Sequence, residues 1–185
     1  MAKILIIRHG QTTDNANKIF SGKRDVDLTE SGIEEAEKIR EKLQNENITK
    51  GYHSGQLRSI HTLDIVLRGH PNGNIFEDNR IRERDYGDLT GESKTEWEKK
   101  DPQNFALWHR SYDVPPPGGE SIKDVETRVL DFLQEEMPKW QKNDVILISA
   151  HGNSIRPMRK YFENLSNEQM CSYEYTPGQI FSYEI

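Results

Sequence analysis

Two apolar runs stand out from an otherwise polar chain: residues 3–7, KILII, and residues 145–150, VILISA. Uninterrupted runs this short predict strands buried on both faces of a parallel sheet. Between and after them, apolar residues recur at helical spacing. Over 29–46 the stripe is Ile33, Ala36, Ile39 and Leu43; Thr29 or Ser31 can cap its start, and Glu34 follows Ser31 as in a capping box. Over 57–68 the face is Leu57, Ile60, Leu63 and Leu67. Over 121–137 it is Ile122, Val125, Val129, Phe132 and Leu133, and over 154–165 it is Ile155, Met158, Phe162 and Leu165. The closing IFSYEI is β-prone and predicts an edge strand.

Strands alternating with helices predict an α/β fold, a sheet covered by helices on both faces, with residues 1–185 as a single domain. The segment 84–120 departs from that rhythm. It holds two short helical stretches and then PPPGGE, stiffened by Pro115, Pro116 and Pro117 and loosened again by Gly118 and Gly119. This predicts an excursion that faces a substrate.

Composition narrows the class. The chain is 33% hydrophobic and 30% charged, which with periodic apolar segments describes a very polar surface around a core rather than a disordered chain. The net charge of −6 comes from interspersed signs, unlike a nucleic-acid-binding face. The single Cys171 excludes an intramolecular disulfide framework and suits a reducing cytosol. No apolar run reaches the roughly 18 residues of a membrane span, and the N-terminal run lacks a signal-peptide pattern. The expectation is a soluble, cytoplasmic protein without nucleic-acid or membrane partners.

Each strong strand is followed by the same local grammar: Arg8-His9-Gly10 after the first, His151-Gly152-Asn153-Ser154 after the second. Ligands of open α/β sheets bind outside the carboxyl ends of the strands, so the two histidines are expected to share one crevice. Glycine after each lets the backbone turn and leaves room for a ligand. A neutral imidazole is a nucleophile near pH 7, and a migrating phosphoryl group needs cationic donors around it. Arg8 adjoins His9, and Arg58 in HSGQLRS opens a predicted helix whose free N–H groups also favour an anion. Phosphoryl transfer on histidine is the chemistry this pattern suits. No G-x-x-x-x-G-K-[ST] loop, H-E-x-x-H or paired C-x-x-C occurs, so neither a nucleotide kinase of that type nor a zinc site is indicated. Cys171 reads as a buried filler, and Ser154, outside any G-x-S-x-G, as a helix cap.

The segment LIIRHGQTTDN resembles the signature of the histidine phosphatase superfamily. So, in order, do Ser21-Gly22 with DVDLTESGIEEA, the arginine of HSGQLRS, RERDYGDLTG, SYDVPPPGGES, ISAHGNSIR and TPGQIFSYEI. Within it, RERDYG, Lys94, SYDVPPP and HGNSIR are most similar to the cofactor-dependent phosphoglycerate mutases. The resemblance implies a phosphoglycerate mutase-like fold, mostly parallel with an antiparallel edge strand. It implies interconversion of 3- and 2-phosphoglycerate, priming by 2,3-bisphosphoglycerate and no metal. It implies His9 as the phosphohistidine nucleophile, Arg8, Arg58 and His151 on the phosphoryl oxygens, and Asn15 and Asn153 completing the cradle. Glu83 falls where the family keeps its proton donor and acceptor. Ser21, Gly22, Arg84, Tyr86, Lys94 and Arg110 match positions that bind the glycerate part.

Three departures keep a phosphomonoester phosphatase open as the alternative. The insertion that family mutases carry after the PPP stretch is missing, because GGES follows at once. The chain stops at Ile185 without the tail that closes over such sites. His109 and Asp85 stand where the mutases more often have arginine and histidine. A shorter lid is expected to admit water, which hydrolyses a phosphohistidine. A binding module that has lost catalysis is disfavoured by the joint presence of His9, Arg58, Glu83 and His151. The resemblance leaves a homodimer open.

Overall fold

The computed structural model describes residues 1–71 and 73–185. Five strands form one sheet: β1 (Lys3–Arg8), β2 (Lys50–His53), β3 (Asn74–Glu77), β4 (Val145–Ala150) and β5 (Ile180–Glu184), in the order β3-β2-β4-β1-β5. β3, β2, β4 and β1 run parallel, and β5 is an edge strand, as expected for IFSYEI, antiparallel to β1 as the family resemblance implies. The helices are α1 (Thr13–Ala16), α2 (Glu30–Leu43), α3 (Leu57–Leu67), α4 (Lys94–Lys100), α5 (Pro102–Arg110), α6 (Ile122–Glu136), α7 (Gly152–Glu163) and α8 (Asn167–Ser172).

Alternation along the central strands builds a core on each face. Ile4, Ile6, Ile146 and Ile148 meet Val125, Val129, Phe132, Leu133, Ile155 and Met158 from α6 and α7. Leu5, Ile7 and Leu147 meet Ile39 and Leu43 of α2 and Leu63 and Val66 of α3. The two runs read from the sequence are therefore the two central strands, apolar on both sides because both sides are covered. The sequence pattern missed β2 and β3. β2 has four residues, including Gly51, and all of β3 is exposed, so neither shows an apolar run or a clean alternation.

Helix phases differ from expectation in two places. α2 is capped by Thr29, whose hydroxyl accepts the Gly32 N–H, and not by a Ser31–Glu34 box. That start puts Gly32 inward and leaves Ile33 43% exposed, so the expected stripe loses its first member. α3 buries Arg58, Ser59 and Thr62 beside Leu63, while Leu57 and Ile60 are only half-buried. Polar residues turn inward there because partners from distant parts of the chain meet them. Ser59 and Ser149 exchange hydroxyl-to-carbonyl bonds of 2.6 and 2.9 Å, and Thr62 accepts the Gly10 N–H at 3.0 Å. α6 matches its predicted face residue for residue, all fully buried. α7 starts earlier than predicted, with His151 as N-cap. Ser154 reaches back from the third helical position to accept the His151 N–H at 3.0 Å.

Gly10 has a different use from the one expected. It does not adopt a left-handed conformation; it makes room for α2. A Cβ on Gly10 would stand 2.2 Å from the Gly32 carbonyl oxygen, and one on Gly32 would stand 2.1 Å from that of Gln11. The loop after His9 is thus pressed backbone to backbone onto the start of α2. Gly32→Ala separates two opposed effects. Helix propensity favours alanine by about 1 kcal/mol, and overpacking a close contact costs about 1–3 kcal/mol. Because the clash is with backbone, the second should win. A net loss of up to about 2 kcal/mol is expected in urea unfolding, and a raised midpoint would contradict the close-packing account.

Candidate active site

Parallel pairing places Arg8 of β1 opposite Ala150 of β4, so both strands end at one level. The next residues, His9 and His151, emerge side by side with ring centroids 4.9 Å apart, as the shared grammar of the two strand ends predicts. His9 Nδ1 lies 2.8 Å from the Gly10 carbonyl, which can only accept, so Nδ1 carries the proton and Nε2 the free lone pair. Burial, then the charges of Arg8 and Arg58, hold its pKa well below the usual imidazole value. His9 is therefore neutral, as a nucleophile must be. His151 is fully buried and neutral for similar reasons, burial first and then Arg58. Its Nε2 meets the Ser54 hydroxyl at 2.7 Å, and its Nδ1 is buried without a partner.

The cations around this pair lack counter-ions. Arg58, 1% exposed, donates to the carbonyls of Arg24 (2.7 Å) and Gly22 (3.2 Å), and its Nε has no partner. Arg8 Nε is likewise buried and unpartnered. Buried donors aimed at no acceptor are costly unless an anion completes them. At the N-terminus of α3 the Leu57 N–H is taken by Asp25 at 2.7 Å, so that donor is not open to an anion.

Glu83 stands at the N-terminus of α7. One carboxylate oxygen accepts the Arg84 N–H (2.8 Å), the Asn153 N–H (3.2 Å) and the Asn153 side-chain amide (3.0 Å). Burial by itself would raise its pKa. The Arg84 N–H bond, the Arg58 charge and the Asn153 bond outweigh that, so Glu83 is held ionised below the usual carboxylate range. Its other oxygen is free to take a proton.

A cavity of about 140 Å³ opens here, lined by Arg8, Asn15, Ser21, Gly22, Glu83, Tyr86, Lys94, His109, Arg110, Gly152 and Asn153. Three residues that the sequence reading did not single out also line it: Arg156, Glu174 and Tyr175. For Arg156 a signal existed, since it lies one helical turn after Asn153 on the same helix; the other two belong to an irregular segment. A second recess, of about 130 Å³, shares Arg8 and Asn15 and is lined by His9 and Thr176–Gly178. Arg58 and His151 line neither recess; both are buried, and His151 stands ring to ring with His9.

Not every expected residue reaches the cavity. Arg84 is fully buried, donates from Nε to the Glu120 carbonyl at 2.6 Å and packs 5.2 Å from the Tyr86 ring, standing behind the wall. Asp85 turns to Lys23, at 2.5 Å, and to the Gly87 N–H. Lys94 lies over Phe20, its pKa lowered by burial. His109, wedged against Phe105 and Phe20, is pushed down to about 3 by burial and the neighbouring Arg110, so it carries no charge. Arg110 is paired with Glu174 at 2.5 Å. Of the 84–120 excursion, α4 and α5 contribute lining side chains, whereas the proline loop folds onto 85–88, with Asp88 N–H donating to the Pro117 carbonyl. Among the described residues no group of three or more His, Cys, Asp or Glu is placed to hold a metal ion.

The sequence profile described as histidine phosphatase superfamily (branch 1) matches residues 4–185. A protein of Nitrobacter hamburgensis named 2,3-bisphosphoglycerate-dependent phosphoglycerate mutase is 40% identical over 188 residues, covering 98% of this chain and 91% of its own. One of the same name from Parvibaculum lavamentivorans is 38% identical, covering 98% and 90%. Among solved structures, Bacillus stearothermophilus YhfR superposes with a TM-score of 0.90 at 26% identity, over 100% of this chain and 92% of its own. A mycobacterial glucosyl-3-phosphoglycerate phosphatase shares the fold, with a TM-score of 0.85 at 23% identity over 97% and 90%.

The neutral imidazoles have a consequence for stability. In the unfolded chain His9, His151 and His109 take up protons below about pH 6.5; in the folded protein they resist. The unfolded state then binds more protons, so the stability they contribute is full above about pH 6.5 and declines as pH falls. Urea midpoints should drop between pH 7.5 and 5.5, and His109→Asn should flatten that slope. An equal slope in the variant would contradict a neutral His109.

Proposed function

The chain belongs to the histidine phosphatase superfamily, and from that premise we propose that it interconverts 3-phosphoglycerate and 2-phosphoglycerate through a phosphohistidine at His9. The observation that carries this reading is a cationic wall, Lys94 and Arg110, in the same cavity as the phosphoryl cradle but on a separate excursion of the chain. A mutase must hold the glycerate by its carboxylate while its two oxygens exchange places at one histidine. A pure phosphatase has no such need.

In the proposed mechanism His9 Nε2 attacks phosphorus while the Gly10 carbonyl holds Nδ1–H. Arg8, Arg58 and His151 hold the phosphoryl oxygens, with Asn15 and Asn153 at the rim. The buried unpartnered Nε atoms of Arg8 and Arg58 and Nδ1 of His151 suit such an anion. When bound, 2,3-bisphosphoglycerate supplies the phosphoryl group that primes His9. Glu83, ionised at rest, takes the proton of the attacking hydroxyl and returns it to the departing oxygen. Ser21, Gly22 and Tyr86 shape the glycerate pocket beside Lys94 and Arg110, with Arg84 supporting Tyr86 from behind. No metal takes part. Residues 1–185 act as one domain, in the cytoplasm. The outward Ile75 and Phe76 on the free edge of β3 support a homodimer. Among the described residues no helix is long and apolar enough to cross a membrane.

One observation favours the phosphatase alternative. The proline loop lies against 85–88 and does not arch over the cavity, so water has readier access to phospho-His9 than under a longer lid.

Incubation with 2,3-bisphosphoglycerate should give an acid-labile, base-stable adduct at residue 9, and His9→Ala should abolish both adduct and turnover. Substantial turnover in that variant would refute the nucleophile assignment. Arg110→Ala should lose a charge-assisted contact of roughly 1.5–3 kcal/mol, about one to two decades in rate or affinity. The ratio of mutase activity to hydrolysis of p-nitrophenyl phosphate should fall accordingly on one preparation. An equal fall in both would make Arg110 structural. No mutase activity in the primed wild type would decide for the phosphatase.

A further inference from the structure

The cavity contains a second pair of unsatisfied groups, away from the phosphoryl cradle. Arg156 of α7 is 3% exposed. Its Nη1 donates to the carbonyls of Met170 (2.7 Å) and Cys171 (2.9 Å), at the end of α8, and its Nε is buried without a partner. The Tyr175 hydroxyl is also buried without a partner, and its ring lies 5.4 Å from the Arg156 guanidinium carbon. Both side chains line the cavity. Tyr175 comes within 3.7 Å of the point a Gly152 Cβ would occupy, and a Glu83 carboxylate oxygen within 3.9 Å of that same point. Tyr175 therefore lies beside the Glu83 carboxylate.

The charges of the wall sharpen what these groups lack. Arg110 is already paired with Glu174, and His109 is neutral. Arg156 has only neutral carbonyls as partners. A guanidinium is a donor at every nitrogen, and a buried one without a counter-ion is completed by an anionic acceptor. Capping of α8 accounts for Nη1. It accounts for neither the empty Nε nor the empty Tyr175 hydroxyl.

We propose that Arg156 and the Tyr175 hydroxyl bind the carboxylate of the phosphoglycerate, beside Lys94, and so set the selectivity of the site for acidic over neutral phosphomonoesters. This rests on the reading of the site given above. It adds to Lys94 and Arg110 two anchoring groups from outside the excursion, on α7 and on the segment before β5.

Tyr175→Phe is the cleanest test, because it keeps the ring and removes only the unpartnered hydroxyl. Losing an unsatisfied buried hydroxyl should leave the urea midpoint unchanged or raise it. Calorimetric affinity for 3-phosphoglycerate should nevertheless fall about tenfold relative to that for inorganic phosphate. Arg156→Met should lower that ratio by about tenfold or more, and Arg156→Lys should recover part of it. If Arg156→Met does not fold, Tyr175→Phe and Arg156→Lys decide the matter. Unchanged ratios in both variants overturn the proposal, and so does a fall in midpoint with parallel loss of both ligands, which is the structural outcome. Wild-type protein with the expected binding pattern but no mutase flux overturns the proposed function and leaves the anchor standing. Mutase flux with unchanged ratios does the reverse.

Discussion

Everything at this site depends on the register between β1 and β4. The pairing of Lys3 with Val145 through to Arg8 with Ala150 ends both central strands at one level, and the His9 N–H continues the ladder to the Ala150 carbonyl. A slip of one residue would turn the side chains to the opposite faces and separate the imidazoles. The register is held by burial on both sides, since isoleucines and leucines of alternate parity belong to two different cores. The rigidity of the apolar sheet is thereby transmitted to two neutral rings 4.9 Å apart.

Around that pair the protein accumulates positive charge that it does not neutralise internally. Arg58 and Arg156 are held by main-chain carbonyls, and Arg8 Nε is left empty. Carbonyl partners orient a guanidinium without cancelling its charge, so the field remains for an anionic ligand. Burial, aided by this field, keeps the histidines deprotonated, and the Arg84 N–H bond, aided by Arg58, keeps Glu83 ionised, which are the protonation states that nucleophilic attack and proton acceptance require. Folded stability is given up to keep these groups ready, a common pattern where donors are preorganised for a charge that arrives later.

The periphery of the site comes from two short helices and an irregular stretch of chain. α4 and α5 bring Lys94, His109 and Arg110; the stretch before β5 brings Glu174 and Tyr175, then Thr176–Gly178 over His9. The proline loop, which by composition looked like part of the substrate wall, serves instead to brace 85–88. Selectivity between transfer to a hydroxyl and transfer to water is then a matter of how these outer segments hold and cover the ligand, while the cradle itself is common to both reactions.

The sequence by itself determined the central strands, the phase of α6, the edge strand β5 and the pairing of His9 with His151, because continuous apolar runs, helical periodicity and a repeated strand-end motif are local signals. Ile33 shows where local signals end: its periodicity is helical, but a cap at Thr29 and the contact of Gly32 with Gln11 decide which way the helix turns. α3 makes the same point with opposite chemistry, burying Arg58, Ser59 and Thr62 because their partners come from Gly22, Gly10 and Ser149, far away in the chain. Gly10 was legible as a required glycine but not for its reason, which is an approach of two backbones. Glu174 and Tyr175 were invisible as site residues, and Arg156 was marked only by its spacing from Asn153, since an arginine bound to carbonyls and a tyrosine without a partner look ordinary until the cavity beside them exists. Only the tertiary structure decides which polar groups lose water and which find a replacement, and on that difference the proposed chemistry of this protein rests.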